Sequence, residues 1–178
     1  GRFPRTNLEN SESIGYADYS LKQFFEVASK SKWYKNTIFV LVADHASISE
    51  DPFYANLLGQ HAIPLLIFNP DGSLKGKCHE VTQQIDILPT ILSHIGFDTP
   101  FFAMGNDVLK NHDNYAVFQD SGNLFLLNDS MLFTFSNYNV IQCTNFKSDS
   151  LLEFNQKKYS SQGAVKYLKS FMQVINES

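Results

Sequence analysis

A short apolar run that ends in an acid and an imidazole most constrains how this chain can fold. Residues 38–43 (IFVLVA) are continuously apolar, which favours a strand covered on both faces, as in the parallel sheet of an α/β protein. Asp44 and His45 follow this run directly. Neighbouring residues of a regular strand point to opposite faces, so the two side chains can converge only if the strand stops and the chain turns. Open α/β sheets bind their ligands at such carboxyl strand ends.

The other segments up to residue 96 complete an α/β pattern. Residues 11–30 predict an amphipathic helix. The segment AIPLLIFN (62–69) predicts a second buried strand. Asp86 is a suitable N-cap for a helix that Gly96 ends. The predicted buried faces are Ile14, Ala17, Leu21, Phe24 and Ala28 on the first helix, and Leu88, Ile91, Leu92 and Ile95 on the second.

The chain changes character after about residue 112. Short apolar runs alternate with DSGN, NDS and SNYN, which predicts a meander of short antiparallel strands with tight turns. A final helix is predicted near 161–176. We therefore expect two parts, an α/β portion at 1–112 and a small meander with a helix packed on it at 113–178.

Composition and charge limit the classes of function. The apolar fraction of 43% and the charged fraction of 18% are typical of a soluble globular protein. With a net charge of −4 there is no basic surface for nucleic acid, which we do not expect as a partner. No stretch approaches the roughly 18 consecutive apolar residues of a membrane span. Since the chain opens GRFPRT without an initiator Met, we expect it to be a piece of a longer protein.

The Asp44–His45 pair is the leading candidate for chemistry. Carboxylate and imidazole groups both bind divalent ions, and a neutral imidazole beside a carboxylate suits this role. The alternative is that Asp44 caps a turn and His45 is an ordinary loop residue. A zinc ion needs about four ligands, so other donors must complete any such site. His61, just before the second strand, is a secondary candidate near the same edge of the sheet, or a plain loop residue.

The sequence contains no motif for nucleophilic catalysis. It has neither a GxSxG motif nor a Gly-rich phosphate loop. Cys78 and Cys143 are 65 residues apart without a CxxC motif, which predicts free thiols. Either the chain is not an enzyme, or its nucleophile lies outside it.

Four stretches, in order, resemble the C-terminal half of the sulfatase-like proteins of the alkaline phosphatase superfamily. They are SIGYADYSLKQFFE, WYKNTIFVLVADHAS, GQHAIPLLIFNPDG and QQIDILPTILSHIGF, and they are most similar to bacterial lipoteichoic acid synthase-type enzymes. MGNDVL (104–109) continues the resemblance, which covers roughly residues 1–110. It implies the C-terminal portion of a doubly wound α/β sheet, followed by a small antiparallel β-meander and a C-terminal helix.

The resemblance also implies a split metal site. In that family an Asp–His pair after a buried strand binds a divalent ion, a role that maps onto Asp44 and His45, with Mn, Mg or Zn as the metal. The other ligands and a nucleophilic Thr or Ser lie in the family's N-terminal half, so this chain alone is expected to be inactive. His61 is a secondary candidate for binding substrate. The expected partners are the N-terminal half of the same protein, a lipid-linked or polyol phosphate substrate, and other copies of this chain by self-association.

The resemblance favours phosphoglycerol- or phosphoethanolamine-type transfer over sulfate ester hydrolysis. Arylsulfatases usually carry a Gly after the pair and a downstream Lys, whereas Ala46 follows here and no Lys occurs between Ala46 and Leu74. Sulfate ester hydrolysis, a catalytically inactive family member and a bare binding module remain as alternatives. The resemblance also implies a parent protein anchored in a bacterial membrane, with this domain on the outer side.

Overall fold

The structure, a computed structural model, divides into two compact units, Gly1–Gly76 and Lys77–Ser178. The domain boundary at 112/113 stays a prediction. Among the described residues, no helix is long and apolar enough to cross a membrane. The described residues are Phe3, 10–47, 49–110, 114–137, 139–145, Ser150, Leu151 and Leu168.

The first unit places one helix against a two-stranded sheet. Helix α1 spans Ser11–Ala28, and strands β1 and β2 span Phe39–Val42 and Leu65–Phe68. The two strands are antiparallel, with Phe39 opposite Phe68 and Val42 opposite Leu65. Three short 3₁₀ helices lie in the connections, at Tyr34–Asn36, Pro52–Ala55 and Gly59–His61.

An aromatic cluster joins α1 to one face of this sheet. The ring of Phe25 lies 5.1 Å from that of Phe39 and 6.0 Å from that of Phe68. Aromatic side chains bury large apolar areas, so these contacts dominate the packing of the unit. The predicted buried face of α1 is therefore largely wrong, because the helix meets the sheet mainly through Phe25, with a second contact between Phe24 and Phe39 at 6.1 Å. Of the predicted residues only Ala28 is buried, whereas Ile14, Ala17, Leu21 and Phe24 are exposed.

The two strands differ from the sequence prediction in pairing and burial. Both lie within the predicted apolar runs, but they pair antiparallel, not parallel. The prediction that both faces are covered is wrong for this chain, since Val42 is 42% and Leu66 57% exposed. A continuous apolar run indicates two apolar faces. Here α1 packs over Phe39 and Phe68 on one face, which leaves Leu66 on that face and Val42 on the other exposed.

The described residues of the second unit include the helix α2 and an antiparallel sheet. A 3₁₀ helix at Gln84–Asp86 leads into α2, Ile87–His94. Five strands pair in the order β3-β4-β5-β6-β7, each antiparallel to its neighbour. The predicted meander is thus confirmed. The strands are β3 (Ala116–Asp120), β4 (Asn123–Leu127), β5 (Met131–Ser136), β6 (Asn139–Asn145) and β7 (Ser150–Leu151).

A tight turn and a compact core define the meander. Ser121 and Gly122 have φ of 47° and 79°, as a two-residue type I′ hairpin turn requires. This turn is the predicted DSGN segment. Apart from Leu168, which is helical, the predicted helix near 161–176 lies outside the described residues. The core consists of Leu126, Phe133, Phe135, Cys143 and Leu168.

Helix α2 turns a different side inward from the one predicted. Pro89 and Thr90 are buried, whereas Leu88 is 55% and Ile95 57% exposed. The Thr90 hydroxyl donates to Asn106 O at 3.3 Å and accepts from Val108 N at 3.1 Å, so this side of the helix faces the 106–108 segment. Periodicity alone could not identify a buried side that is made by a polar residue.

Candidate metal and substrate site

Asp44 and His45 converge at the end of β1. The strand ends at Val42 and both residues lie in the bend that follows. Asp44 Oδ1 accepts a hydrogen bond from His45 N at 3.0 Å, and Asp44 Oδ2 lies 3.6 Å from His45 Nε2. Two adjacent side chains of a continuing strand would point apart. The predicted stop and turn are therefore present.

The distance between these two donor atoms is compatible with one shared metal ion. Two ligands of a tetrahedral ion, each about 2.0–2.2 Å from it, lie roughly 3.4 Å apart. His45 Nδ1 lies 2.8 Å from the carbonyl oxygen of Ala46. Since a carbonyl oxygen only accepts, Nδ1 carries the hydrogen, and the neutral ring presents its lone pair at Nε2. Nε2 is also the nitrogen that faces Asp44, so a backbone contact fixes the tautomer that a metal ligand needs.

The pair is open to solvent and its imidazole holds a proton more strongly than usual. The side chains of Asp44 and His45 are 89% and 80% exposed. The hydrogen bond to Ala46 O, and to a lesser extent the nearby Asp44 carboxylate, raise the pKa of His45 above its ordinary value. Desolvation lowers this pKa, but its effect is the smallest of the three. Because a ligand imidazole must be neutral, protons compete with a metal at this position.

The described residues provide only part of a metal-binding shell. Among them, no cluster of three or more His, Cys, Asp or Glu side chains is arranged to hold an ion. A structural or catalytic zinc takes three or four protein ligands, and magnesium or calcium takes more oxygen donors. The residues that are present therefore fit one side of a divalent-ion site, with two of the donors it needs.

His61 lies at the same edge of the sheet as the pair. Val42 lies opposite Leu65, and Ala43 N donates to Pro64 O at 3.4 Å, so the end of β1 adjoins the start of β2. His61 precedes Leu65 by four residues, so it lies on the connection that enters the sheet at the edge where β1 ends. Its Nδ1 lies 2.9 Å from Leu57 O. His61 does not join Asp44 and His45 in a three-donor group.

Sequence reasoning overlooked two residues that organise this edge. Asn56 Oδ1 accepts a hydrogen bond from Gly59 N at 2.9 Å. Gly59 is buried, and a Cβ there would overlap the carbonyl oxygen of Phe53. Both residues belong to the polar connection between β1 and β2. The sequence does contain signals for these turns. Asp51 and Asn56 are residues whose side chains commonly accept hydrogen bonds from nearby backbone N–H groups in turns, and Pro52 favours a turn by fixing φ.

Comparison with solved structures defines the class of protein. The chain is similar to a protein of the alkaline phosphatase superfamily from Vibrio parahaemolyticus, with a TM-score of 0.73 and 27% identity. The match covers 97% of this chain and 45% of that protein. The predicted fold class, a C-terminal portion of an alkaline-phosphatase-like α/β fold, is therefore confirmed.

Comparison with protein families defines the family. The sulfatase family model matches residues 9–97, and this chain belongs to the sulfatase family. It is 32% identical to lipoteichoic acid synthase 2 of Bacillus subtilis over 61% of this chain and 19% of that protein. It is 29% identical to lipoteichoic acid synthase of Staphylococcus aureus over 60% of this chain and 18% of that protein. The chain thus spans about a fifth of the length of these relatives, and the resemblance identified in its motifs is confirmed.

Proposed function

We propose that the complete protein carrying this chain is a metal-dependent enzyme that transfers or hydrolyses a phosphoryl group. The 3.6 Å separation of Asp44 Oδ2 and His45 Nε2 at the end of β1 carries this proposal. These two residues would hold one side of a Mn, Mg or Zn ion. Such an ion lowers the pKa of a Ser or Thr hydroxyl nucleophile and neutralises charge on phosphoryl oxygens. Asp44 supplies charge and His45 a neutral nitrogen, with its ring held by Ala46 O.

Phosphoryl chemistry is favoured over sulfuryl chemistry by two observations. Both relatives described above are lipoteichoic acid synthases, and Ala46 follows the pair where arylsulfatases usually carry Gly. We therefore propose a polyol phosphate, carried on a lipid, as the substrate, with His61 contacting it. A protein with such a substrate would be anchored in a bacterial membrane with this domain on the outer side.

In this proposal the active site is divided between this chain and the N-terminal half of the same protein. The nucleophile and the remaining ligands would come from that half. A catalytically inactive member of the family, or a bare binding module, would retain the fold without the metal. The metal content of the complete protein distinguishes these alternatives, since only the enzyme requires a bound divalent ion.

Replacing Asp44 tests the role of the pair. In the complete protein, Asp44→Ala should abolish turnover of a model phosphodiester, because it removes a charged metal ligand. The same substitution should change the unfolding free energy of this chain by less than about 0.5 kcal/mol, since the side chain is exposed and lies past the strand. Asp18→Ala, at another exposed carboxylate of the first unit, is the matched control. Wild-type turnover in Asp44→Ala would contradict the assignment.

Titrating this chain with metal tests the division of the site. Two donors leave at least half of an ion's ligands to water, so Mn²⁺ or Zn²⁺ should bind weakly or not at all. Isothermal titration calorimetry of wild type beside His45→Ala measures this directly. A tight, stoichiometric site that His45→Ala removes, or turnover of a diester by this chain alone, would mean that the chain carries a complete site.

A further inference from the structure

The hydrogen-bonded ladder between β1 and β2 continues for one step past the strands. Ala43 N donates to Pro64 O at 3.4 Å, and the register of Val42 with Leu65 places these two residues directly opposite each other. Two residues that bond in this way in an antiparallel pair normally exchange two N–H···O bonds. Pro64 has no N–H, so it cannot donate to Ala43 O and only one of the two bonds can form. The bond that remains is longer than the usual limit of about 3.2 Å.

At the next step of the ladder, where His45 would pair with Ala62, both N–H groups bond elsewhere. Ala62 N donates to Gly59 O at 3.1 Å, at the end of the 3₁₀ helix that precedes β2. His45 N donates to Asp44 Oδ1 at 3.0 Å. The N–H of His45, which a longer ladder would direct at Ala62 O, therefore meets the Asp44 side chain instead.

This bond aligns the two candidate metal ligands. While Asp44 Oδ1 accepts from His45 N, the second carboxylate oxygen, Oδ2, lies 3.6 Å from His45 Nε2. In a continuing strand the same two side chains would point to opposite faces of the sheet. The pair can therefore converge only because the ladder ends before it.

We propose that Pro64 is a positioning residue for the Asp44–His45 pair, because it ends the ladder with β1 at the point where the chain must turn. Its ring is exposed, so it acts through the backbone. A residue with an N–H here would donate to Ala43 O, since a carbonyl oxygen has two lone pairs and can accept this bond beside any other. The longer ladder would draw His45 N to Ala62 O and separate the pair. The effect on the ladder stands by itself, whereas its consequence for a metal ion rests on the proposed function.

Pro64→Ala supplies the missing N–H in this chain, and NMR of the backbone amides shows whether the ladder extends. A through-hydrogen-bond ¹⁵N–¹³C′ coupling from His45 to Ala62 should appear in the variant and be absent from wild type. Pro64→Thr, which suits a strand better, should give the same result. Pro52→Ala is the matched control, because Pro52 is also exposed and lies in the same connection, but it begins a 3₁₀ helix, where an N–H needs no ladder partner. If the coupling stays absent in both Pro64 variants, or is already present in wild type, the positioning role is wrong.

The consequence for the metal is measured by the Mn²⁺ affinity of the complete protein. Pro64→Ala should weaken this affinity about 10- to 100-fold, which is typical when a group that orients a metal ligand is lost. Turnover of a model phosphodiester should fall at limiting Mn²⁺ and recover at saturating Mn²⁺, whereas a general loss of structure would not be reversed by the ion. Pro52→Ala should match wild type in both measurements. An extended ladder with unchanged Mn²⁺ affinity would overturn the role in metal binding. If the wild-type complete protein binds no divalent ion, the proposed function fails, while the amide measurement still decides what ends the ladder.

Discussion

Asp86 joins two segments of the second unit that are 20 residues apart in sequence. It is 1% exposed, and its two carboxylate oxygens accept from Asn106 N at 2.8 Å and Gln83 N at 2.9 Å. The sequence identified Asp86 as an N-cap, and it does precede α2. Its side chain, however, makes no cap to α2 itself. The bond to Asn106 could not be predicted, because it depends on a tertiary contact that no local pattern encodes.

Replacing this carboxylate with an amide should destabilise the second unit. In Asp86→Asn the amide NH₂ would face one of the two backbone N–H donors, so one buried donor loses its acceptor at a cost of about 1–3 kcal/mol. Burial raises the pKa of Asp86 above its ordinary value, against the opposing effects of the Asn106 and Gln83 N–H groups. The folded state thus keeps the proton to higher pH than the unfolded state. The shift in pKa therefore contributes its whole stabilisation below about pH 3.9, and this contribution is lost as the pH rises through the pKa of the folded state.

Urea unfolding of wild type and Asp86→Asn at a series of pH values measures both effects. The difference between the two proteins should narrow as the pH rises above about 4, since only wild type can ionise at this position. Asp98→Asn, at an exposed carboxylate after α2, should stay near wild type. Equal stability of Asp86→Asn and wild type at every pH would show that the buried carboxylate contributes nothing.

Secondary-structure elements were predicted better than their contacts. The strands at 39–42 and 65–68, helix α1 and the meander all lie where the sequence places them. The pairing direction of β1 and β2 was wrong because an apolar run reports how many faces are apolar and not which strand lies beside it. The buried face of α1 was predicted wrongly for a similar reason, since helical spacing identifies apolar positions but not which of them contact the sheet.

At the scale of elements, Gly105 sets how closely the segment after α2 approaches the 3₁₀ helix before it. A Cβ at Gly105 would overlap the carbonyl oxygen of Ile85. Because backbone must move to relieve this overlap, Gly105→Ala should lower the unfolding free energy by about 1–3 kcal/mol. Gly15→Ala in α1 is the control, since there the added Cβ meets only the side chain of Phe3. Thermal unfolding of the two variants decides this, and an unchanged midpoint in Gly105→Ala would contradict it.

At the scale of the whole molecule, the sequence predicted two ligands of a metal site, and the structure brings their side chains together at the end of β1. The end of β1 carries the Asp44–His45 pair because a bend follows the strand, a feature visible in the order of residues. The further ligands that the proposed function requires could not be predicted from a sequence that matches about a fifth of its relatives' length. The turn that the Asn56 side chain closes on Gly59 was overlooked because such a turn has the composition of any polar loop.

The apolar faces of the first unit predict how this chain behaves alone. Leu66 and Val42 are 57% and 42% exposed and lie on opposite faces of the sheet, because Leu66 pairs with Leu41 and Val42 with Leu65. On the Leu66 face, an open apolar cavity of about 340 Å³ is lined by Phe25, Tyr34, Leu41, Leu66 and Phe68. Exposed apolar surface of this kind promotes association. A two-stranded sheet is also only marginally stable without further packing.

We therefore expect this chain to self-associate with increasing concentration, which sedimentation velocity measures. The double variant Val42→Thr/Leu66→Thr should shift it towards monomer, because it makes one position on each face polar with Thr, a β-branched residue suited to strands. Ile141→Thr, at a residue that is 54% exposed on β6 of the second unit, is the control and should associate as wild type does. If Ile141→Thr makes the chain monomeric and the double variant does not, the second unit provides the surface through which the copies associate. A monomeric wild type at all concentrations would mean that neither face of β1 and β2 drives association.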